Sequence, residues 1–399
     1  MTKITDIPAI RFKGFSDTWE QRKLNEVAEF NPKSELPDEF EYVDLESVVG
    51  TEMISHRTET KDSAPSRAQR LAQPGDVFFQ TVRPYQKNNY LFSKLDNNYV
   101  FSTGYAQMRP NIDTAFLMSF LQTDSFVKIV LDNCTGTSYP AINSSDLSNL
   151  EISLPKSFEE QKKVGKTIIS IDNLITLHQR KYDKLTNVKK SMLEKMFPQN
   201  GSNAPEIRFK GFTEAWEQRK VTEIGKIYIG LVTTMTKHYT DEGTLLIRNS
   251  DIKDGKFEFG DNPIYLEKTF AEKNETRMHQ IGDVITVHTG DVGTSAVITE
   301  NEAKSIGFAT IVTRPNPKII DSNYLCSFLN TDKHKKWAVS ISTGDGRTNY
   351  NLGDYFELVV PVPSIAEQKK IASYIQKLNR LITLHQRKPN FYTGGYYAE

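Results

Sequence analysis

The sequence predicts an α+β fold in which two repeated mixed α/β domains are joined by a two-helix antiparallel coiled coil with pseudo-two-fold symmetry. Two pairs of near-identical segments in the 399-residue chain carry this prediction. Residues 8–23 and 205–220 share twelve of sixteen positions, and residues 157–181 and 364–388 share fourteen of twenty-five. The copies lie roughly 200 residues apart, whereas the unit of a solenoid spans about 20 to 50 residues. The repeat therefore predicts two domains, each followed by a matching helix.

The composition is that of an ordinary globular protein, with 38% hydrophobic and 25% charged residues. At this length we expect each half to bury its own core. A formal net charge of zero argues against indiscriminate binding of polyanions, but it leaves open a local surface for nucleic acid. Cys134 and Cys326 occupy non-equivalent positions of the repeat, so neither a disulfide nor a zinc site is expected.

The chain begins without the apolar core of a signal peptide, and it contains no run of about 18 apolar residues. The expectation is a cytoplasmic protein with no membrane partner.

The first variable body is predicted to combine strands with a helix. Short apolar runs at residues 76–82, 90–92 and 150–154 predict strands. Residues 115–131 predict one helix, because their apolar positions recur at helical spacing. Short anchor sequences, such as Gly-Asp-Val at residues 75–77 and 282–284, recur in the same order in the second body, and the segments between them diverge. One fold is therefore expected to carry two different surfaces.

The repeated helices begin with Ser-x-x-Glu capping boxes, at Ser157 in the first copy and Ser364 in the second. The first helix is predicted over 157–197 and the second over 364–388. Apolar positions at 4-3-4-3 spacing, among them Ile171 and Ile175, form a heptad seam, and the two helices are the obvious partners for each other.

His178 and His385 interrupt this seam at equivalent positions. They could be ligands or a pH switch, but a polar position that fixes the register of the helix pair is the favoured interpretation. Residues 198–204, which read PQNGSNA, are predicted to be the linker between the halves.

The sequence lacks the motifs that would indicate an enzyme. It has no Walker A loop, no G-x-G-x-x-G, no nucleophile elbow and no H-x-x-x-H pair. It also lacks the Asn/Asp-Pro-Pro-aromatic motif of adenine methyltransferases. We therefore expect no catalytic residue and no bound metal.

Side chains that can reach DNA bases cluster in the segments that differ between the two bodies. In the first body the candidates are Arg67, Arg70, Arg83, Tyr85, Gln86, Lys87, Thr137 and Ser138. In the second body they are Arg248, Asn249, His288, Thr289, Asp291, Arg347, Asn349 and Tyr350. Each one singly fits an ordinary surface residue, and their position in divergent segments is what favours DNA contact.

Two features of the helices leave alternatives open. Residues 157–197 carry nine Lys/Arg against five Asp/Glu, and residues 364–388 carry six against one, which fits either a solvated face or a surface along a duplex. Four leucines lie off the seam at equivalent places in the two copies, and they favour a contact face for another protein over core packing: Leu174, Leu177, Leu381 and Leu384.

The pattern resembles the specificity subunit of type I restriction–modification systems. The resemblance rests on IRFKGF with WEQRK, on the EQKK segment that opens each helix and on LITLHQRK, and it covers residues 5–388. It implies that residues 1–156 and 205–363 are target recognition domains, each reading one half of a split DNA site through the major groove. The two helices would act as spacers and as docking sites for two modification subunits.

The resemblance also implies what the partners do. This chain would bind double-stranded DNA and hold no cofactor of its own. The modification subunits would use S-adenosylmethionine to methylate adenine, and restriction subunits would add translocation and cleavage, with ATP and Mg²⁺ used by these partners. A 25-residue helix spans about 37 Å, which is roughly one turn of DNA and suits two half-sites on one side of a duplex.

The second helix departs from the family pattern. Pro389 ends it where the first copy continues for about two to three turns, and residues 389–399 form an atypical tail. We expect this truncation to weaken the coiled coil and the docking of one modification subunit. The alternatives are a protein-interaction scaffold that does not read DNA, or a defective truncated subunit.

Overall fold

The structure, a computed structural model, describes five stretches of the chain: residues 8–95, 98–136, 138–199, 202–342 and 349–386. The chain divides into two compact units, unit 1 (Met1–Thr176) and unit 2 (Leu177–Glu399). The division falls inside one long helix.

Unit 1 is built from short strands and five helices in its described part. The strands are β1 (Glu20–Lys23), β2 (Ala28–Phe30), β3 (Glu39–Val43), β4 (Val48–Val49), β5 (Glu52–Met53), β6 (Arg57–Thr60), β7 (Ala68–Leu71), β8 (Val77–Gln80), β9 (Tyr90–Leu91), β10 (Tyr99–Ser102), β11 (Tyr105–Pro110) and β12 (Glu151–Leu154). The helices are α1 (Leu24–Val27), α2 (Thr114–Leu121), α3 (Asp124–Asp132), α4 (Ser144–Ser148) and α5 (Phe158–Lys195), which continues into unit 2. Strands β8, β9 and β12 confirm the three strand predictions.

Two four-stranded sheets organise unit 1. The first has the order β2-β11-β8-β9 and is antiparallel throughout. Its core joins Val77 and Phe79 of β8 to Phe116, Leu121 and Phe126 of α2 and α3. The second sheet has the order β6-β3-β10-β7 and contains a parallel pair, β3 with β10. Strand β1 pairs with β12, which ties the start of the body to the strand before α5.

Unit 2 repeats this plan with different details. Its strands are β13 (Glu217–Lys220), β14 (Gly225–Ile229), β15 (Tyr239–Thr240), β16 (Thr244–Ile247), β17 (Ile252–Lys253), β18 (Lys256–Phe257), β19 (Tyr265–Leu266), β20 (Val284–Thr286), β21 (Ser295–Val297), β22 (Ile306–Gly307), β23 (Ile311–Pro315) and β24 (Val359–Val362). Its helices are α6 (Val221–Ile224), α7 (Lys268–Lys273), α8 (Ser322–Leu329), α9 (Asp332–Ile341), α10 (Leu352–Phe356) and α11 (Ile365–Gln386).

One sheet is common to the two units and the other is not. The order β14-β23-β20-β21 in unit 2 corresponds strand by strand to β2-β11-β8-β9 in unit 1, and β13 pairs with β24 as β1 pairs with β12. The second sheet of unit 2, β15-β19-β16-β22, has a different order and different lengths. The expected combination of one repeated α/β frame with divergent additions is therefore confirmed.

The single helix predicted over 115–131 is wrong, because α2 ends at Leu121 and α3 begins at Asp124. The hydroxyl of Thr123 accepts a hydrogen bond from the backbone N–H of Phe126 and so provides an N-cap for a second helix. In unit 2 Thr331 caps α9 in the same way. Apolar periodicity alone does not reveal this break, since it continues across the cap.

A buried ion pair fixes the common sheet in each unit. Arg109 of β11 donates to both carboxylate oxygens of Asp76 at 2.9 Å, and Arg314 of β23 donates to both oxygens of Asp283 at 2.8 and 2.7 Å. Each aspartate side chain is only 1% exposed. The two aspartates belong to the Gly-Asp-Val anchors that recur in the sequence, so this repeat encodes a structural contact.

A second ion pair joins the N-terminal repeat to the helix repeat. Arg11 donates to both oxygens of Glu160 at 2.7 and 2.8 Å, and Arg208 donates to both oxygens of Glu367 at 2.7 and 2.9 Å. The predicted helix starts are confirmed, because the hydroxyl of Ser157 accepts from the Glu160 N–H. The glutamates, however, face arginines instead of completing the capping box.

The part of α5 that belongs to unit 2 packs against α11. The buried core side chains contributed by the two helices are Leu193, Ile371, Ala372, Ile375 and Leu378. At one end His178 Nδ1 lies 2.9 Å from His385 Nδ1, and further along α5 Leu193 lines the same small cavity as Ile375. Residue numbers rise along α5 as they fall along α11, so the predicted antiparallel pair is confirmed within unit 2. That the histidines fix its register stays a prediction.

Gly165→Ala is expected to destabilise unit 1 by about 1 to 2 kcal/mol. A Cβ at Gly165 of α5 would lie 2.3 Å from the backbone N of Phe116 and 2.6 Å from the carbonyl carbon of Ala115. Because the new Cβ meets backbone atoms, we expect an overpacking cost at the upper end of about 1 to 3 kcal/mol, which exceeds the helix-propensity gain of alanine, about 1 kcal/mol. Urea denaturation measures the change. Gly353→Ala in α10, where a Cβ meets no atom within 4 Å, is the control and should be neutral or stabilising.

Among the described residues, no single helix is long and apolar enough to cross a membrane, although the bent pair Thr114–Leu121 and Asp124–Asp132 together meets the length and composition limits. No group of three or more potential metal ligands occurs in these stretches either. The tail at 389–399 lies outside the described residues.

Candidate nucleic-acid interface

In unit 1, one surface collects five of the predicted DNA-contacting residues. A bridge between Val82 and Ala141 and a hydrogen bond from the Arg83 N–H to the Pro140 carbonyl, at 2.8 Å, bring the loop after β8 against the segment before α4. The predicted residues that meet here are Arg83, Tyr85, Gln86, Lys87 and Ser138. The fold thus assembles part of the candidate set from two segments about 50 positions apart in the chain.

A buried glutamine stabilises the loop after β8. Gln80 at the end of β8 donates from Nε2 to the carbonyl of Val82 at 2.6 Å and to the side-chain oxygen of Gln86 at 2.9 Å. Lys87 pairs with Asp124 of α3, and this contact lowers the pKa of the Asp124 carboxyl. The loop therefore has a defined shape, while the NH₂ group of Gln86 remains available as a donor.

Arg83 lies against an aromatic ring that the sequence did not single out. Its guanidinium carbon is 4.6 Å from the ring centroid of Tyr139, and the Tyr139 side chain is 64% exposed. A cation over an aromatic face is favourable. No sequence signal marked Tyr139, because the contact requires the bridge between distant segments.

Arg67 and Arg70 belong to a different part of unit 1, the edge strand β7 and the turn before it. Arg67 is exposed, and Arg70 is half-buried. The Nε of Arg70 is buried without a hydrogen-bond partner, and burial lowers the pKa of this guanidinium. Neither side chain makes a hydrogen bond or ion pair with the parts of the chain that the structure describes.

In unit 2, four of the predicted residues form one hydrogen-bonded group. Asn249 accepts from the backbone N–H of His288 at 2.8 Å, and the Thr289 hydroxyl donates to the side-chain oxygen of Asn349 at 2.9 Å. His288 Nδ1 lies 2.7 Å from the Thr289 hydroxyl. Burial lowers the pKa of His288, so its ring is neutral at pH 7 and can both donate and accept. Amide and imidazole groups of this kind can form hydrogen bonds with the edges of DNA bases.

Arg248 adjoins this group but is already engaged. Its guanidinium donates to both carboxylate oxygens of Asp251, at 3.0 and 2.8 Å. Asp291 is exposed and accepts from the hydroxyl of Thr294 at 2.7 Å. These two side chains are tied to local turns, and this reduces their freedom to contact a ligand.

The prediction that Tyr350 contacts DNA is wrong. Its side chain is fully buried in the core of unit 2, and its hydroxyl lies 3.3 Å from Nε2 of the buried His334. The neighbouring Asn349 faces the surface group instead. Thr137 and Arg347 lie outside the described residues.

An exposed aromatic residue beside the unit 2 group was also missed. Phe308 is 39% exposed, and its carbonyl accepts from the Asn249 side chain at 3.5 Å. A single apolar residue in a loop gives no periodic signal, so sequence patterns do not identify it.

The four leucines proposed as a protein contact are all exposed: Leu174 is 56%, Leu177 47%, Leu381 43% and Leu384 53% exposed. Ile171 and Ile175, which the heptad spacing placed in the buried seam, are exposed as well, at 45% and 51%. Binding of another protein to these leucines stays a prediction.

The sequence model of a family described as the type I restriction modification DNA specificity domain matches residues 16–187 and 213–391. The two matches cover most of the chain and fall one in each half. The chain therefore belongs to this family of DNA specificity domains.

The relatives agree with this membership. The chain is 21% identical over 291 residues to the type I restriction enzyme MjaVIII specificity subunit of Methanocaldococcus jannaschii, which covers 69% of this chain and 65% of that protein. It is 24% identical over 163 residues to the HindI specificity subunit of Haemophilus influenzae, covering 39% and 35%. The chain thus spans about two thirds or less of these curated relatives. The crystal structure of a type I restriction–modification S subunit from M. genitalium has a TM-score of 0.56 at 15% identity, with 96% and 93% coverage, and shows the same fold.

Proposed function

We propose that this chain is the DNA sequence-recognition subunit of a type I restriction–modification complex, with each domain reading one half of a bipartite site. One observation carries the proposal: the two units share a sheet and its buried ion pair, while the polar groups at their candidate surfaces are built from different residues. A protein that reads two different half-sites needs this combination. The shared frame positions each domain on the DNA, and the variable surface determines which base sequence is bound. Family membership supports the same conclusion.

The proposal extends to the partners. Two modification subunits would dock on the exposed leucines of α5 and α11, supply S-adenosylmethionine and methylate adenine in double-stranded DNA. Restriction subunits would add ATP- and Mg²⁺-dependent translocation and cleavage. The chain itself would be non-catalytic, which fits the lack of catalytic motifs in its sequence.

Long-read mapping of methyladenine tests the proposal, using cells that co-express the chain with the modification subunit of its own system. We expect one split motif with two short half-sites and a fixed gap. Exchange of residues 205–363 for the corresponding domain of another family member should then change one half-site and leave the other and the gap unaltered.

The matched control replaces residues 205–220 with the sequence of residues 8–23, which differs at four positions and belongs to the frame. This variant should keep the parent motif. A stable complex that methylates no motif, and that binds DNA without sequence preference or salt dependence, would establish the scaffold or defective-subunit alternative instead.

A further inference from the structure

The arginines of the unit 1 body fall into two groups. Four have their guanidinium bound to carboxylates: Arg11 to Glu160, Arg22 to Glu26, Arg57 to Asp44 and Glu59, and Arg109 to Asp76. Three others make no hydrogen bond or ion pair through their guanidinium within the described stretches: Arg67, Arg70 and Arg83. The guanidinium donors of this second group are unused within the part of the chain that the structure describes.

Arg83 differs from the other two because the structure fixes both its backbone and its side chain. Its φ of 54° places it in the left-handed region, in a turn that continues to Lys87 at φ 56°. Its N–H is bonded to the carbonyl of Pro140, and its guanidinium stacks on Tyr139. Arg67 and Arg70 have no comparable support among the described contacts.

The guanidinium of Arg83 is suited to bind a planar hydrogen-bond acceptor. The guanidinium carbon lies over the Tyr139 ring, and the group carries five N–H donors in one plane. Two exposed side chains border it, Tyr85 at 49% exposure and Gln86. The carboxylate of Asp124, which contacts this loop, is paired with Lys87. It therefore does not compete with a ligand for the guanidinium of Arg83.

We propose that Arg83, positioned by the ring of Tyr139, reads a guanine in the half-site recognised by unit 1. The inference rests on the proposed function. In the major groove, guanine presents O6 and N7 side by side, and an arginine fork donates to the two together. A fork held in one plane has less conformational entropy to lose on binding, which favours a specific base over the flexible contact that a phosphate requires.

The experiment uses the full complex with its modification subunits. The parent motif is mapped first, and the domain exchange at 205–363 identifies the half-site that stays constant, which unit 1 reads. Binding is then measured with duplexes that carry another base or 7-deazaguanine, which lacks the N7 acceptor, at each guanine of that half-site.

We expect the parent complex to prefer guanine at one position by about 5- to 150-fold, the range of a bidentate base contact. Its affinity should also fall with 7-deazaguanine there. Arg83→Ala should abolish both preferences at this position alone and leave the other half-site intact. Tyr139→Ala should weaken the preference, and Tyr139→Phe, which keeps the ring, should restore it. Arg22→Ala, which removes the same charge from β1, is the control and should keep the parent selectivity.

Several outcomes overturn the inference while the proposed function stands. These are a bipartite motif whose unit 1 half-site contains no guanine, an Arg83→Ala complex with unchanged base preferences, and an affinity loss that is equal for all sequences and unaffected by 7-deazaguanine. The last result would assign Arg83 to a phosphate. A parent complex with no sequence preference overturns the proposed function as well.

Discussion

Arg314→Met is expected to lower the free energy of unfolding of unit 2 by about 3 kcal/mol or more. The substitution leaves the Asp283 carboxylate, 1% exposed, without its bidentate partner inside the fold. Removal of one member of a buried ion pair typically costs about 3 to 5 kcal/mol, because the other charge stays buried and uncompensated. The variant also loses the hydrogen bond from Arg314 to the carbonyl of Met278.

Urea denaturation of the full chain measures this effect, followed by the fluorescence of Trp216 and Trp337 in a Trp19→Phe background so that the signal reports unit 2. Adding Asp283→Asn to Arg314→Met should recover much of the loss, since the buried charge is then removed. Arg219→Met, which breaks an exposed pair with Glu217, should cost less than about 1 kcal/mol. Equal losses for the exposed and buried pairs would contradict the argument.

Unit 2 is also expected to lose about 4 kcal/mol of stability between pH 7 and pH 5 because of two buried histidines. Burial lowers the pKa of His279 and of His334 to about 4 in the folded chain. The unfolded chain takes up protons near pH 6.5, whereas the folded chain does not, so stability falls as the pH drops through this window. Each histidine contributes about 2 kcal/mol over these two pH units.

Burial keeps both rings neutral, and for His334 it outweighs the hydrogen bond to a backbone carbonyl, which by itself raises the pKa. His334 Nδ1 donates to the carbonyl of Leu329 at 2.6 Å, and its Nε2 faces the hydroxyl of Tyr350. His279 Nδ1 lies 2.8 Å from the hydroxyl of Ser305, and its Nε2 is buried without a partner.

The measurement is the difference in unfolding free energy between pH 7 and pH 5, which separates the titration from any loss of packing. His279→Gln and His334→Gln should each reduce that difference by about 2 kcal/mol. A pH dependence that neither buried variant alters would assign the effect to carboxylates.

The repeat made much of the fold predictable from the sequence. Helix starts at Ser157 and Ser364 followed from a local motif, and the antiparallel pair in unit 2 followed from heptad spacing. The break at Thr123 did not, because apolar spacing runs on through a cap. Ile171 and Ile175 were assigned to a buried seam by the same spacing, yet they are exposed. Periodicity identifies an apolar face without showing what covers it.

The candidate site was less predictable, since residue type does not show orientation. Asn349 and Tyr350 are adjacent in sequence, but one joins the surface group and the other fills the core. Tyr139 and Gln80, which hold the Arg83 loop, gave no signal because each acts through a contact between distant segments. Sequence patterns therefore identify candidate recognition residues by their type. The residues that position them are identified only from the structure.

The ion pair of Arg208 with Glu367, like that of Arg11 with Glu160, has an evolutionary consequence. These residues join the repeated N-terminal segment to the repeated helix, and none of them belongs to the variable segments that carry the candidate recognition residues. Mutations in the variable loops can therefore accumulate without breaking the contacts that keep each domain folded. Under the proposed function, a lineage can explore new DNA targets in one domain while the other keeps its own, so selection would act on the two half-sites as nearly independent traits.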